Sequence, residues 1–479
     1  MALAPHPLST RRRSGVLLHI ASLPGGNLGD DAFRFVDFLA ESGFHIWQIL
    51  PVCPTDAEGS PYNGSSAFAG NPQFIDRDFL RREPYGVHCD IDAEEIVLWR
   101  QSVTVCREQA DDWAAYTQFV ADNSYWLPDF ALYVLLKREY GGSWVTWPDR
   151  YRRRDASALA QYGEQHREDI DGICFQQYCF FRQWGELKRY ANERSILIIG
   201  DMPIFVAHDS ADCWANQEMF LLDALGQPTM VAGVPPDYFS ETGQRWGNPQ
   251  YNWPLMQEQK FHWWIGRFRF CFACYDLIRV DHFRGFEACW FIDAAEEFAI
   301  NGYWQAVPGE ALFAETLEQL GELPIIAEDL GIITPEVEAL RDKFELPGMK
   351  ILQFAFDGSE DNPYLPCNHI ENSVVYTGTH DNDTILGWFT ALSDEERGRV
   401  LETLDGEGEM PWLMISVALQ SVANTVIVPM QDLLSLGAEA RMNTPGTIEN
   451  NWRWRFQWSQ VDRQLPQKLV QLNAEAKRD

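Results

Sequence analysis

Three short acidic stretches each close an apolar run: Arg279-Val280-Asp281-His282, Ala327-Glu328-Asp329 and Thr379-His380-Asp381-Asn382. The runs before them, 275–280, 323–327 and 373–378, read as buried strands. A parallel sheet aims the C-terminal ends of its strands at one crevice, so carboxylates far apart in sequence converge there. Asp201, which follows 196–200, adds a fourth strand-end carboxylate. Such a cluster suits bond breaking that needs both a proton and a nucleophile, and glycosidic bond chemistry is its leading use.

Each residue type carries a specific capacity. Residues two apart on a strand share a face, which sets the Arg279 guanidinium beside Asp281. A neighbouring cation keeps a carboxylate ionised, as a covalent nucleophile must be; the same pair would equally serve as a structural ion pair. Glu328 leaves a strand with apolar neighbours on one side, an environment that keeps a carboxyl protonated for use as a general acid. Asp329 should point the opposite way and cap the turn before a helix starting near Thr334. His380 and Asp381 together offer a donor and an acceptor to vicinal sugar hydroxyls, with Asn382 or Asp383 alternatively capping a helix. A His-Asp pair has too few ligands for zinc, and no calcium loop occurs, so no metal is expected. Tyr62, Tyr238 and Trp246 lie in polar, turn-rich loops, where an aromatic face with a polar tip suits stacking on a sugar ring.

The elements that must position these residues follow from the pattern of apolar runs. Runs at 16–20, 45–50, 196–199, 275–280, 324–327, 350–356, 373–378 and 425–428 are bounded by turn residues, with helix-period segments between many of them. About eight such strands alternating with helices predict an α/β fold, a (β/α)8 TIM barrel, as one catalytic domain over 1–479. The stretch from Asp31 to Glu41, with Phe33, Val36, Phe38 and Leu39 as an apolar stripe, typifies the helices. Residues 51–195 far exceed one crossover helix. They predict an inserted, mainly helical subdomain between the second and third strands, with helical patterns at 94–123, 130–140 and 168–194. A second insertion, 205–260, contains a lid-like loop at 234–249 with Pro235 and Pro236 at its entry and Gly243 and Gly247 flanking Trp246.

Composition excludes several classes. A formal net charge of −32 repels polyanions, so neither nucleic acid nor an anionic membrane is an expected partner. The ten cysteines are scattered rather than framed as disulfides, and Cys271-Phe272-Ala273-Cys274 lies on an apolar helix-like stretch with no matching second pair. These two cysteines read as core. No apolar run approaches the roughly 20 residues that span a bilayer. Arg11-Arg12-Arg13 is followed by too short an apolar run for a secretory signal, so a reduced, cytoplasmic protein is expected. Phosphate-loop, Rossmann, nucleophile-elbow and zinc-protease motifs are absent, and two carboxylates supply proton and nucleophile without a cofactor.

Longer motifs carry a resemblance. Ser14-Gly15-Val16-Leu17-Leu18-His19 with Ser22-Leu23-Pro24, Trp47-Gln48-Ile49-Leu50-Pro51 and Ser60-Pro61-Tyr62 resemble the start of an amylomaltase. Ala67-Phe68-Ala69-Gly70-Asn71-Pro72, Gly200-Asp201-Met202-Pro203-Ile204, 234–249, 279–286, 327–331, 376–383 and Asn451-Trp452 continue it over nearly the whole chain. Amylomaltases are 4-α-glucanotransferases of the α-amylase clan. The resemblance implies a retaining transfer of α-1,4-glucan segments (maltooligosaccharides, glycogen or starch) to an acceptor glucan or glucose. It implies Asp281 as nucleophile, Glu328 as acid/base and Asp381 as the carboxylate that binds the distorted sugar. Tyr62, Asp201, Arg279 and His380 fall on positions lining the reacting subsite, Asp237, Gln244 and Trp246 on the loop over the glucan, and Asn451 among the substrate-binding residues. The segment Gly25 to Asp30 is shorter than the family's usual glycine-rich loop, which bears on a peripheral subsite. The rivals are an α-1,4-glucan hydrolase on the same scaffold and a glucan-binding protein without catalysis, which would need no ionised Asp281 next to Arg279 and would tolerate losing Glu328.

Overall fold

The computed structural model describes residues 6–56, 58–78, 95–236, 240–405 and 408–478. Eight parallel strands close a barrel: β1 (Arg13–Leu17), β2 (Ile46–Gln48), β3 (Leu197–Met202), β6 (Leu277–Val280), β9 (Ile325–Ala327), β10 (Gly348–Ile351), β11 (Ser373–Tyr376) and β12 (Thr425–Pro429). Around the ring they run β1-β12-β11-β10-β9-β6-β3-β2. The remaining strands, β4 (Met230–Val234), β5 (Gln244–Pro249), β7 (Ala288–Asp293) and β8 (Tyr303–Ala306), form a separate antiparallel sheet in the order β5-β4-β7-β8. All eight apolar runs are barrel strands, though β10 lies two residues earlier than its run begins and gives way to a 3-10 turn at Leu352–Phe354.

The strand period of two explains how the barrel carries its site. Alternate side chains point inward and outward. Ile199 and Asp201 share one face of β3, and Leu277 and Arg279 share one face of β6, with Asp281 next in the same sequence. Likewise Ile326 precedes Glu328 by two residues. The apolar members of this set (Leu17, Ile46, Ile199, Leu277, Ile326, Met349, Val374, Tyr376 and Ile427) pack in one cluster. The intervening residues Ile198, Ile278, Val280, Ile325 and Ala327 belong to the larger core beneath the outer helices. The barrel interior is thus apolar below and becomes charged at the strands' C-terminal ends.

Helices alternate with most strands. Asp30–Glu41 buries Ala32, Phe35, Val36, Phe38 and Leu39 against the barrel, with Asp30 and Asp31 in its first turn favouring the positive end of its dipole. Phe33, expected in the stripe, is half-buried against the same core and meets Tyr190 edge-on. Between β10 and β11 the crossover has only the 3-10 turns Leu352–Phe354 and Pro366–Asn368.

Between β2 and β3 lie the helices Glu95–Arg107, Ala110–Asp122, Leu127–Tyr140 and Ala156–Gln165, then the 27-residue helix Arg167–Glu193 that leads into β3. Two glutamines on that long helix hold the loop after β2. Gln177 accepts from the Gly70 N–H at 2.8 Å and donates to its carbonyl at 3.0 Å, and Gln183 does the same for Asp76 at the same distances. Buried amides that satisfy both backbone groups of one residue leave no polar debt. They fix the loop that carries Tyr62.

The insertion after β3 differs from a simple lid. Its strands β4 and β5 pair with each other, and β4 also pairs with β7, which with its partner β8 comes from a different excursion, between β6 and β9. At Gly243, φ is +68° and a Cβ would lie 2.4 Å from the Val234 carbonyl oxygen, so only glycine fits this crossing of the hairpin. Cys271 and Cys274 sit on the helix His262–Cys274, unpaired, Cys271 buried and Cys274 half-buried. Among the described residues, no helix is long and apolar enough to cross a membrane.

Candidate active site

Strand register brings the charged residues together. Asp201 on β3 and Arg279 on β6 are paired neighbours. One guanidinium nitrogen of Arg279 donates to both Asp201 oxygens at 2.9 Å, and the other lies 3.0 Å from Asp281 Oδ1. Burial alone would lower the Arg279 pKa, but Asp201 and Asp281 outweigh it, so the cation is held well above its usual value. Its side chain is 5% exposed while that of Asp281 is 30% exposed. A buried, permanently charged arginine therefore stands behind the Asp281 carboxyl, which faces the open crevice.

Glu328 meets the opposite environment. It lies just beyond β9, and the loops of β6 and β9 are laced together: Glu328 N–H donates to the Val280 carbonyl at 3.1 Å, and Phe283 N–H to the Glu328 carbonyl at 3.0 Å. Its Oε2 accepts from the His282 N–H at 2.6 Å and its Oε1 from the Leu330 N–H at 3.2 Å. Burial raises its pKa to about 8, with Arg279 opposing and Asp281 reinforcing. The two carboxyls thus sit in opposite environments: Asp281 faces a cation, whereas Glu328 is desolvated and its pKa is raised.

Asp329 does turn away from the crevice, but it is not a helix cap. It accepts from the Met349 N–H at 2.7 Å and from the Arg341 guanidinium, tying β9 to β10 and to the helix Pro335–Lys343, whose N-cap is Thr334. Nor do Asn382 or Asp383 cap the helix Ile385–Ala391. Thr384 does so, while Asn382 accepts from the Thr379 N–H and hydroxyl at 2.8 and 2.9 Å.

On the third strand end, His380 Nε2 lies 3.4 Å from Asp381 Oδ2. The Tyr62 ring stacks on His380 at 5.2 Å and 15°, its hydroxyl donates to Asp201 at 2.7 Å, and Trp452 leans on both rings at 5.8 and 5.9 Å. Tyr62, Asp201, Arg279, His380, Asp281 and Asp381 therefore form one connected wall. Trp246, 39% exposed, meets the His282 ring edge-on at 4.9 Å, one residue from Asp281, and its indole N–H donates to Gln244 at 3.1 Å.

Asp237 and the neighbouring Tyr238 lie outside the described residues. Asn451 is buried and its amide is taken up by its own loop, accepting from the Thr444 N–H at 3.0 Å and donating to the Thr447 carbonyl at 2.8 Å. Among the described residues no three His, Cys, Asp or Glu side chains are grouped to hold a metal.

Two residues at this site escape sequence reasoning: Arg441 and Asn443, which bond the backbone and side chain of Asp381. They follow the last strand in an irregular stretch, where neither period nor motif singles them out.

A closed parallel barrel with a buried acid and an arginine-bound carboxyl on adjacent strand ends has the architecture of a (β/α)8 enzyme with its crevice at the strands' C-terminal ends. A family profile described as 4-alpha-glucanotransferase matches residues 18–461. The chain is 46% identical over 473 residues to the 4-alpha-glucanotransferase of Thermus thermophilus, covering 93% of this chain and 95% of that one. It is 43% identical to the chloroplastic/amyloplastic 4-alpha-glucanotransferase DPE1 of Arabidopsis thaliana, over 94% of this chain and 82% of that one. The amylomaltase of Streptococcus agalactiae, solved in complex with acarbose, superposes with a TM-score of 0.91 at 38% identity, covering 98% of this chain and all of that one. The chain belongs to the 4-alpha-glucanotransferase family, and it is an enzyme with the amylomaltase fold.

Proposed function

We propose that this enzyme moves α-1,4-glucan segments from a donor maltodextrin to the 4-hydroxyl of an acceptor glucan or glucose by a retaining double displacement. The observation that carries the mechanism is the split between the two carboxyls: Asp281 lies 3.0 Å from a buried Arg279, whereas burial holds Glu328 up at about 8. Glu328 gives its proton to the glycosidic oxygen as Asp281 attacks the anomeric carbon; the C–O bond to the leaving glucan breaks and a covalent glycosyl ester forms. Glu328, now a base, takes the proton from an acceptor hydroxyl, whose oxygen displaces Asp281 and restores the α configuration. Asp381 and His380 hold hydroxyls of the distorted sugar, and Tyr62 and Arg279 line its subsite. Asp201 is spent on Arg279 and Tyr62, so its contribution is to hold those two. Gln244 and Trp246 flank the crevice beside His282, where stacking would favour a sugar acceptor over water. The nine described cysteines are all unpaired, which fits a reducing compartment and a cytoplasmic location.

Maltotriose alone tests the reading. Transfer yields glucose and longer maltooligosaccharides with little net gain of reducing ends. Conversion to glucose and maltose alone would replace transferase with hydrolase.

A further inference from the structure

The third carboxylate is gripped by a segment beyond the last barrel strand. Asn443 donates its side-chain amide to Asp381 Oδ1 at 2.6 Å and its backbone N–H to the His380 carbonyl at 3.1 Å. Arg441 donates to the Asp381 backbone carbonyl at 2.7 Å and, through Nε, to the Asn443 carbonyl at 2.7 Å. The holder is itself braced, because the Asn451 amide closes the loop through Thr444 and Thr447. The other oxygen, Oδ2, faces His380, and the Asp381 side chain keeps 45% of its surface exposed.

This division of the carboxylate has a consequence. The terminal torsion of an aspartate is soft and roughly two-fold, so an unheld carboxylate rotates freely in an open crevice. A hydrogen bond to one oxygen fixes the direction of the other. A neutral amide does this without neutralising the charge, whereas an ammonium would compete with the sugar for it. We propose that Asn443 is a positioning residue: it locks Oδ1 of Asp381 so that Oδ2, with His380, meets the hydroxyls of the sugar at the reacting subsite. The proposal rests on reading Asp381 as the carboxylate that binds the distorted sugar. The titratable and charged groups around Asp381 are His380 and Asp383 on its own loop, Arg441 on the holding segment, and Tyr62 from the loop after β2, which also faces Asp281.

The test compares Asn443→Ala, Asn443→Asp and Asp381→Asn in the full chain, with maltotriose disproportionation measured across pH and folding checked by thermal melting. Because Asp381 is engaged most strongly in the transition state, Asn443→Ala is expected to lower kcat on the order of 10²-fold with KM little changed. Asn443→Asp, nearly the same shape, sets a second carboxylate against the first. Like charges raise a carboxyl pKa, so the acid limb of the pH profile should move up by about one unit or more. An Asp381→Asn enzyme that kept wild-type activity would dismiss the reading of Asp381 itself. If Asp381→Asn is inactive, the positioning role is overturned by any of three results: wild-type kcat in Asn443→Ala, a change confined to KM, or an Asn443→Asp enzyme slowed equally at every pH. Should Asn443→Ala fail to fold, the pH profile of Asn443→Asp decides alone.

Discussion

At the scale of single residues, two carboxyls on neighbouring strand ends meet opposite surroundings, and the proposed mechanism gives them opposite jobs for that reason. Arg279 is shared between Asp201 and Asp281, while Glu328 is buried with only backbone donors. The proposed mechanism needs Glu328 protonated in the free enzyme, so kcat/KM should fall as pH rises through about 8, the value to which burial lifts it. Glu328→Gln should remove that alkaline limb and suppress transfer from maltotriose. It should spare the glycosylation half-reaction of a glucosyl fluoride, whose leaving group needs no proton. Equal slowing of both donors, measured by fluoride release and by maltotriose turnover, would argue against the acid/base role.

At the scale of elements, the loop read as a lid is a hairpin built into a four-stranded sheet. That sheet unites two excursions from the barrel and sets Trp246 edge-on to His282, next to Asp281. An exposed indole held on a paired strand loses little further freedom on stacking against a sugar. Trp246→Ala should therefore raise the share of hydrolysis, read as reducing ends gained per glucose released, while the fold stands because the side chain is not core. An unchanged hydrolysis share would reduce the hairpin to a rim. Nothing in the alternation of Ala288-Cys289-Trp290-Phe291-Ile292-Asp293 tells which strand it will meet, and this is why β7 and β8 were not foreseen: an antiparallel partner distant in the chain leaves no local mark.

For the molecule as a whole, several carboxyls are buried without a cation hydrogen-bonded to them. Burial raises Asp212 to about 6, Asp432 to about 7 and Glu328 to about 8 from ordinary values of 3.8, 3.8 and 4.5. Each binds a proton more tightly folded than unfolded. The stability it contributes is complete below its ordinary value and is lost as pH rises through its folded one, with a slope of up to about 1.4 kcal/mol per pH unit. The melting temperature should accordingly fall between pH 5 and pH 8. Asp432 accepts from the Ile385 N–H at 2.8 Å and the Thr377 hydroxyl at 3.0 Å, so Asp432→Asn keeps an acceptor and should flatten the part of the fall that ends near 7. Repulsion within a chain of net charge −32 acts in the same direction but is screened by salt, whereas the buried groups are not. Calorimetry at low and high salt separates the two, and a wild-type melting temperature indifferent to pH would contradict the prediction.

The barrel and most of its wall were legible in the chain itself. Local alternation identifies strands, and in a parallel barrel every strand end opens on the same crevice, so Asp201, Asp281, Glu328 and Asp381 could be placed together before any pairing was known. The same parity put Asp329 on the far side of its strand, although its partner Arg341 came only with the packing of the next helix. Tertiary structure alone decided what depends on contact between segments of unrelated period. It decided the pairing of β4 with β7, the clasp of Gln177 and Gln183 on the loop after β2, and the hold of Asn443 on Asp381. It also gave Asn451 to its own loop rather than to the crevice. Hydrophobic period is written in neighbouring residues, but a hydrogen bond between distant loops is specified only when the folded backbone brings donor and acceptor within about 3 Å.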